Sequence, residues 1–110
     1  MQLVEQHIIG KNDPRFELID SAAFLSKNLY NAANYAVRQV FIFEQCYISF
    51  NQMDKLMKHS PDYCALPRKV SQWVLKQLDH DWLAFFAASR TYRVTPDVFT
   101  GRPKLPNYKH

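Results

Sequence analysis

Between Pro14 and Phe43 the chain has neither a glycine nor a further proline. No other feature constrains the fold as strongly. Asn12-Asp13-Pro14 reads as a helix start: Asp13 can cap, and Pro14 suits the first helical position, where its missing N–H costs nothing. Leu18, Ala22, Leu25, Leu29, Ala32, Ala36, Val40 and Phe43 follow at spacings of three and four. A parallel row runs through Ile19, Ala23, Tyr30, Ala33, Val37 and Phe41. Two adjacent rows make a broad apolar face that needs cover from more than one neighbour. A helix of this extent is roughly 45 Å long, and its alanines let another helix approach closely.

A second long helix opens at Leu66-Pro67 and is expected to reach about Tyr92. Its apolar row is Val70, Val74, Leu78, Trp82 and Phe85, flanked by Leu75, Phe86 and Ala88. Between the two, Asn51 to His59 reads as a short helix with Met53, Leu56 and Met57 inward. Ser60-Pro61-Asp62 is another cap-plus-proline start, giving at most one turn through Ala65. The segment from Phe43 to Phe50 is ambiguous between helix end and loop. Only two glycines are present, so the turn chemistry of an all-β fold is missing.

The ends read differently. Leu3 to Ile9 has the composition of a short strand ending at Gly10. Thr95-Pro96-Asp97 restarts a turn holding Val98 and Phe99. After Gly101, Pro103 and Pro106 enforce extended backbone. The expected fold is therefore mainly α: a helical bundle with two long antiparallel helices and one or two short ones, and strand-like segments at both termini. One domain spans 1–110, with a strand-like lead-in at 1–10, a helical bundle at 13–94 and an extended basic return segment at 95–110. One hairpin-sized pairing of the two ends is marginal alone, which suggests β elements belonging to a larger sheet.

The net charge is +4, and it is concentrated in the last quarter. From Leu83 onward Arg90, Arg93, Arg102, Lys104 and Lys109 face a single acid, Asp97, while the rest of the chain balances. Such an end either reaches for a polyanion or belongs to a domain that continues. Nucleic acid, an anionic membrane surface and an acidic protein all fit a basic chain. The longest uninterrupted apolar stretch, Leu83 to Ala88, is far short of the ~18 residues of a spanning helix. No secretory leader is seen, and Cys46 and Cys64 form no CxxC pair. They are expected as reduced, partly buried thiols of a cytoplasmic protein.

No catalytic constellation emerges. Asp79-His80-Asp81 resembles a site, but adjacent helical residues point about 100° apart and cannot converge on one metal. A solvated polar face is expected there. There is no GxSxG elbow, P-loop or dinucleotide fingerprint, and no cofactor is signalled. Trp73, Trp82, Phe85 and Phe86 form an aromatic row whose default place is the core, with Trp73 about 50° off the Val74 row and so at its edge. Beside it, Arg68, Lys69 and Gln72 occupy the first turns of a helix, which suits phosphate contact and base-edge hydrogen bonding. Arg90, Arg93, Arg102, Lys104 and Lys109 are interleaved with Tyr92, Phe99 and Tyr108. Cations beside stacking rings are what non-specific nucleic-acid binding requires. Both groups also read as ordinary solvated surface.

Three segments resemble one family. Phe24-Leu25-Ser26-Lys27-Asn28-Leu29-Tyr30-Asn31-Ala32-Ala33 is similar to the aromatic-Asn-Ala stretch near the start of the OrfB/TnpB transposon-encoded proteins. Leu66-Pro67-Arg68-Lys69-Val70-Ser71-Gln72, through Leu78-Asp79 to Trp82, Phe85 and Phe86, resembles their second long helix. Phe99-Thr100-Gly101-Arg102-Pro103-Lys104-Leu105-Pro106-Asn107-Tyr108-Lys109 resembles their Gly-x-Pro-basic-apolar segment. The order and spacing also fit, and together they cover most of the chain.

The resemblance implies an RNA-guided DNA-targeting protein of an insertion sequence. Its amino-terminal region begins a small β-barrel, into which a helical recognition domain, often described as helix-turn-helix, is inserted. By position, Arg68, Lys69 and Gln72 would face target-adjacent DNA. Arg102, Lys104 and Lys109 would lie in the resumed barrel, near guide RNA. Trp73, Arg90, Arg93 and Tyr108 stay candidate nucleic-acid contacts on the residue-level reading alone. The family's RuvC-like carboxylates and zinc ribbon have no counterpart in these residues, so cleavage does not carry over and no enzyme is expected. The expectation is a nucleic-acid-binding module, part of a longer transposase polypeptide or a truncated product that binds without cutting. The competing expectation is a helical protein-interaction or oligomerisation module without direct nucleic-acid binding.

Overall fold

A computed structural model describes the backbone of residues 14–110 and the side chains of residues 20–110. The expected strand over 3–9, the lead-in at 1–10 and the Asp13 cap lie outside these residues. The run free of glycine and proline forms one helix, α1 (Pro14–Glu44). It stops because Gln45 takes a left-handed φ of 56°, while its N–H still bonds the Phe41 carbonyl at 3.0 Å. Glycine normally fills that position; here glutamine does. The ambiguous segment is thus a loop over 45–49, followed by α2 (Phe50–Met57). There the Ser49 N–H donates to Gln52 Oε1 at 2.9 Å, half of a capping box.

The proline starts hold. At α3 (Pro61–Cys64) the Ser60 hydroxyl accepts from the Tyr63 N–H at 3.2 Å, with Pro61 in the first position. After Pro67 comes α4 (Arg68–Val94), two residues longer at its end than the sequence suggested. A single 3-10 turn, Pro96–Val98, then reverses the chain.

The protein is mainly helical, with α1 and α4 packed together and two short helices beside them. Direction is where expectation and structure differ. Tyr30 meets Asp81, Asn34 meets Trp82, and Phe41 meets Phe85 and Phe86. Partners advance together along both helices, so α1 and α4 run parallel rather than antiparallel. The cause is the connection. A short loop makes neighbouring helices antiparallel, but residues 45–67 carry α2 and α3 and travel back. Tyr47 reaches Trp82, Phe50 reaches Lys76, and Tyr63 reaches Ser71.

The core joins Leu29, Tyr30, Ala33 and Val37 of α1 to Met53, Met57, Tyr63 and Leu66, and to Val74, Leu75, Leu78 and Trp82 of α4. Half-buried Phe41, Tyr47, Phe85 and Phe86 surround Trp82, with ring centroids 5.1–6.2 Å apart and mostly edge-on or tilted. Such pairs add to simple burial because ring edges meet ring faces. Buried Ser71 donates to the Tyr63 carbonyl at 2.7 Å, pinning α4 to α3.

Several burial expectations change. Leu56 is exposed, because α2 is covered only along its Met53–Met57 edge. Cys46 and Cys64 are exposed and free, not partly buried. Val70 and Phe43 are exposed where their rows run past the covered length. Of the aromatic row, Trp82 is core, Phe85 and Phe86 are half-buried, and Trp73 stands out at 60% exposure.

Candidate nucleic-acid interface

The basic return segment is extended, as Pro103 and Pro106 require, but no strand pairs with it among the described residues. It lies instead along the seam between α1 and α4, held by side chains of α1. Asn31 and Lys109 bond in both directions: Asn31 Nδ2 donates to the Lys109 carbonyl at 2.9 Å, and the Lys109 N–H donates to Asn31 Oδ1 at 2.7 Å. One turn on, Asn34 Nδ2 and Arg38 Nη1 both donate to the Pro106 carbonyl at 3.1 Å. Leu105 packs against the core, and the Arg38 guanidinium sits 5.1 Å from the Tyr108 ring centre. Asn31, Asn34 and Arg38 fall on one helix face, three and four residues apart. Pro106 and Lys109, three apart in an extended chain, match that spacing.

This clasp sets the position of the basic groups. Lys104, Tyr108 and Lys109 border a groove against Ala84, Phe85 and Ala88 of α4. Lys109 also reaches the rim of a second cleft, of about 550 Å³, between the first halves of α1 and α4. Trp73 lines that cleft, together with Phe24 and Lys27 of α1 and Gln77 of α4. The Lys27 Nζ lies 4.9 Å from the Phe24 ring centre and the Lys109 Nζ 4.8 Å from that of Tyr30. Cations thus stand directly beside ring faces, at distances where the ring quadrupole attracts them.

Two phenol–carboxylate pairs tie α4 to the rest of the fold, and the first of them lines both clefts. Tyr30 donates to Asp81 Oδ2 at 2.5 Å, and Tyr47 donates to Asp79 Oδ1. Burial, then the hydrogen bond and charge of the partner carboxylate, raises both tyrosines far above the ordinary 10.0. Asp79 and Asp81 are therefore not a freely solvated face, as the sequence suggested; they are half-buried acceptors on either side of His80, which is exposed. No metal-ligating cluster of three or more occurs among the described residues.

The sequence-derived site residues divide. Trp73, Lys104, Tyr108 and Lys109 are brought to the two neighbouring clefts. Lys69, exposed and four residues before Trp73, continues that face of α4. Arg68 is exposed and Gln72 half-buried, and neither lines the two clefts; the nearby Tyr63 hydroxyl donates to Asp54 at 2.7 Å. Arg90 and Arg93 are exposed near the far end of α4, roughly 25–30 Å along the axis from Trp73 at 1.5 Å per residue. Arg102 is exposed at the start of the return segment.

Sequence reasoning missed Phe24, Lys27, Asn31, Asn34, Arg38 and Gln77. Two signals were available. Phe24 lies on neither apolar row, which marks an aromatic that the core does not claim. Asn34, at 100° per residue, falls about 40° from Tyr30, inside the buried arc; a polar residue there must have a partner.

Comparison with protein-family models, with curated proteins and with solved structures gives no match.

Proposed function

We propose that this chain is a nucleic-acid-binding module of a transposase-like, RNA-guided DNA-targeting protein, and that these residues bind without cutting. The observation that carries the reading is the clasp. It lays Lys104, Tyr108 and Lys109 beside a cleft that already holds Lys27, Phe24 and exposed Trp73. Alternating cations and rings along a groove suit a strand of phosphates with unstacked bases. The likeness of three segments to the OrfB/TnpB proteins supplies the transposon setting, with target DNA and guide RNA as the partners.

The test is binding of labelled single strands, duplex DNA and structured RNA at low salt. A salt-sensitive complex with any of them supports the reading. No complex with any of them overturns it for the isolated module.

One observation favours the second reading, a helical interaction module. Tyr35, Ile42 and Phe43 of α1 are 58%, 50% and 76% exposed and fall seven and eight residues apart, on one face. Light scattering separates the two: a tight dimer unaffected by salt and nucleic acid, and lost in Phe43→Ser, favours the interaction module.

A further inference from the structure

The cleft between α1 and α4 has a composition that phosphate contact alone does not explain. Its walls are aromatic, with Phe24 on α1 and Trp73 on α4. Its charges balance: Lys27 and Lys109 are matched by Asp20 and Asp81. A site built for phosphate would carry an excess of cations. Asp81 is committed to the Tyr30 hydroxyl at 2.5 Å, so the floor is polar and already hydrogen-bonded. The Gln77 side chain adds both a donor and an acceptor. The cleft volume of about 550 Å³ lies within the roughly 300–1,000 Å³ of ligand sites.

Trp73 is the least explained residue of the site. A tryptophan on a helix normally buries its large ring, yet this one is 60% exposed while its neighbour Val74 is core. Opposite it, Lys27 and Phe24 hold each other at 4.9 Å, which fixes the cation at the rim. Lys109 is fixed as well, because Asn31 grips its backbone and its ammonium rests 4.8 Å from the Tyr30 ring centre. The arrangement is a ring platform with polar edges inside and two fixed cations, Lys27 and Lys109, in the same lining.

Resting on the nucleic-acid reading above, we propose that this cleft receives one unstacked base of a single strand. Trp73 is the stacking platform. Gln77 meets the polar edge of the base. Lys27 and Lys109 take the phosphates on either side of it.

The experiment titrates the full chain with decamers of deoxythymidine and of uridine, and with a decamer of the same sugar-phosphate backbone lacking bases. Tryptophan emission and anisotropy are read together. Trp82 is completely buried, so quenching by a base reports Trp73. Expected are quenching by at least one base-bearing strand, no quenching by the abasic strand, and a loss of affinity of roughly 5- to 150-fold in Trp73→Ala, the range of one stacked base. Trp73→Phe keeps most of the affinity and loses the quenching. Since Trp73 is exposed, both variants fold, as circular dichroism checks. If the abasic strand binds as tightly and Trp73→Ala changes nothing while salt-sensitive binding persists, the cleft proposal is wrong and the interface grips backbone only. If no decamer binds wild type while duplex DNA or structured RNA does, the cleft proposal is wrong and the underlying reading stands; if none of them binds, both fail.

Discussion

Trp82 donates its indole N–H to Asn34 Oδ1 at 2.9 Å, and neither residue has any exposure to solvent. The same Asn34 donates from Nδ2 to the Pro106 carbonyl. One side chain thus satisfies the only polar atom of the largest core residue and holds the return segment. Asn34→Ala leaves the indole N–H buried without a partner, which costs about 1–3 kcal/mol. In a Trp82→Phe background that donor is gone, and the same substitution is expected to cost less. Urea unfolding of the four proteins in this cycle measures the difference; equal costs in both backgrounds would contradict the pairing.

The return segment is expected to resist proteases for the same reason. Trypsin can cut after Lys104, but Leu105 is packed against the core and Pro106 is doubly bonded. Asn31→Ala with Arg38→Ala removes three of the four hydrogen bonds of the clasp at partly exposed positions. Opening becomes easier by about 1–3 kcal/mol, so cleavage after Lys104 rises roughly 5- to 150-fold. Mass spectrometry of timed digests reads it. Unchanged cleavage would mean that the clasp does not hold in solution.

The end of α1 offers a stabilising substitution. Gln45 holds φ at 56°, a region where side chains with a Cβ pay about 1–2 kcal/mol. Gln45→Gly relieves that cost but gives back chain entropy in the unfolded state. The net expectation is a gain of about 0.5–1 kcal/mol, seen as a higher midpoint in urea. A loss would show that the loop over 45–49 adopts another conformation.

Alkaline pH should unfold the protein. Tyr30, Tyr47 and Tyr63 have folded pKa values raised above the ordinary 10.0, chiefly by burial. The folded state therefore keeps protons that the unfolded state gives up. Their contribution to stability is complete below pH 10 and is lost as pH rises above it. Tyr47→Phe keeps the ring and removes one such group, so the fall above pH 10 becomes shallower. Unfolding midpoints taken between pH 8 and 11 check the slope.

Helices were legible because their signals are local. The long run without glycine or proline became α1, and Ser60-Pro61 and Pro67 opened α3 and α4 where capping chemistry put them. What could not be read depends on distant partners. The parallel course of α1 and α4 follows from how far residues 45–67 travel back, which no local pattern encodes. Asn31 and Arg38 look like ordinary helix surface until Lys109 and Pro106, more than sixty residues later, arrive against them. Tyr30 and Tyr47 gave no hint of their carboxylate partners. Within the site, Lys104, Tyr108 and Lys109 stood out as cations and rings close in sequence, and Trp73 as a ring off its row. Lys27 and Phe24 came into the site only through the packing of α1 on α4.

A salt series on a fluorescent single strand, with wild type and a Lys104→Gln/Lys109→Gln variant, bears on the interface itself. Lys104 is exposed, and the bonds Lys109 makes to Asn31 involve only its backbone, so the variant keeps the clasp. Removing two phosphate contacts should lower the slope of log affinity against log salt by about 1.4, at roughly 0.7 per contact for single strands. Affinity at low salt should fall with it. A slope and an affinity equal to those of wild type would show that the return segment does not face nucleic acid.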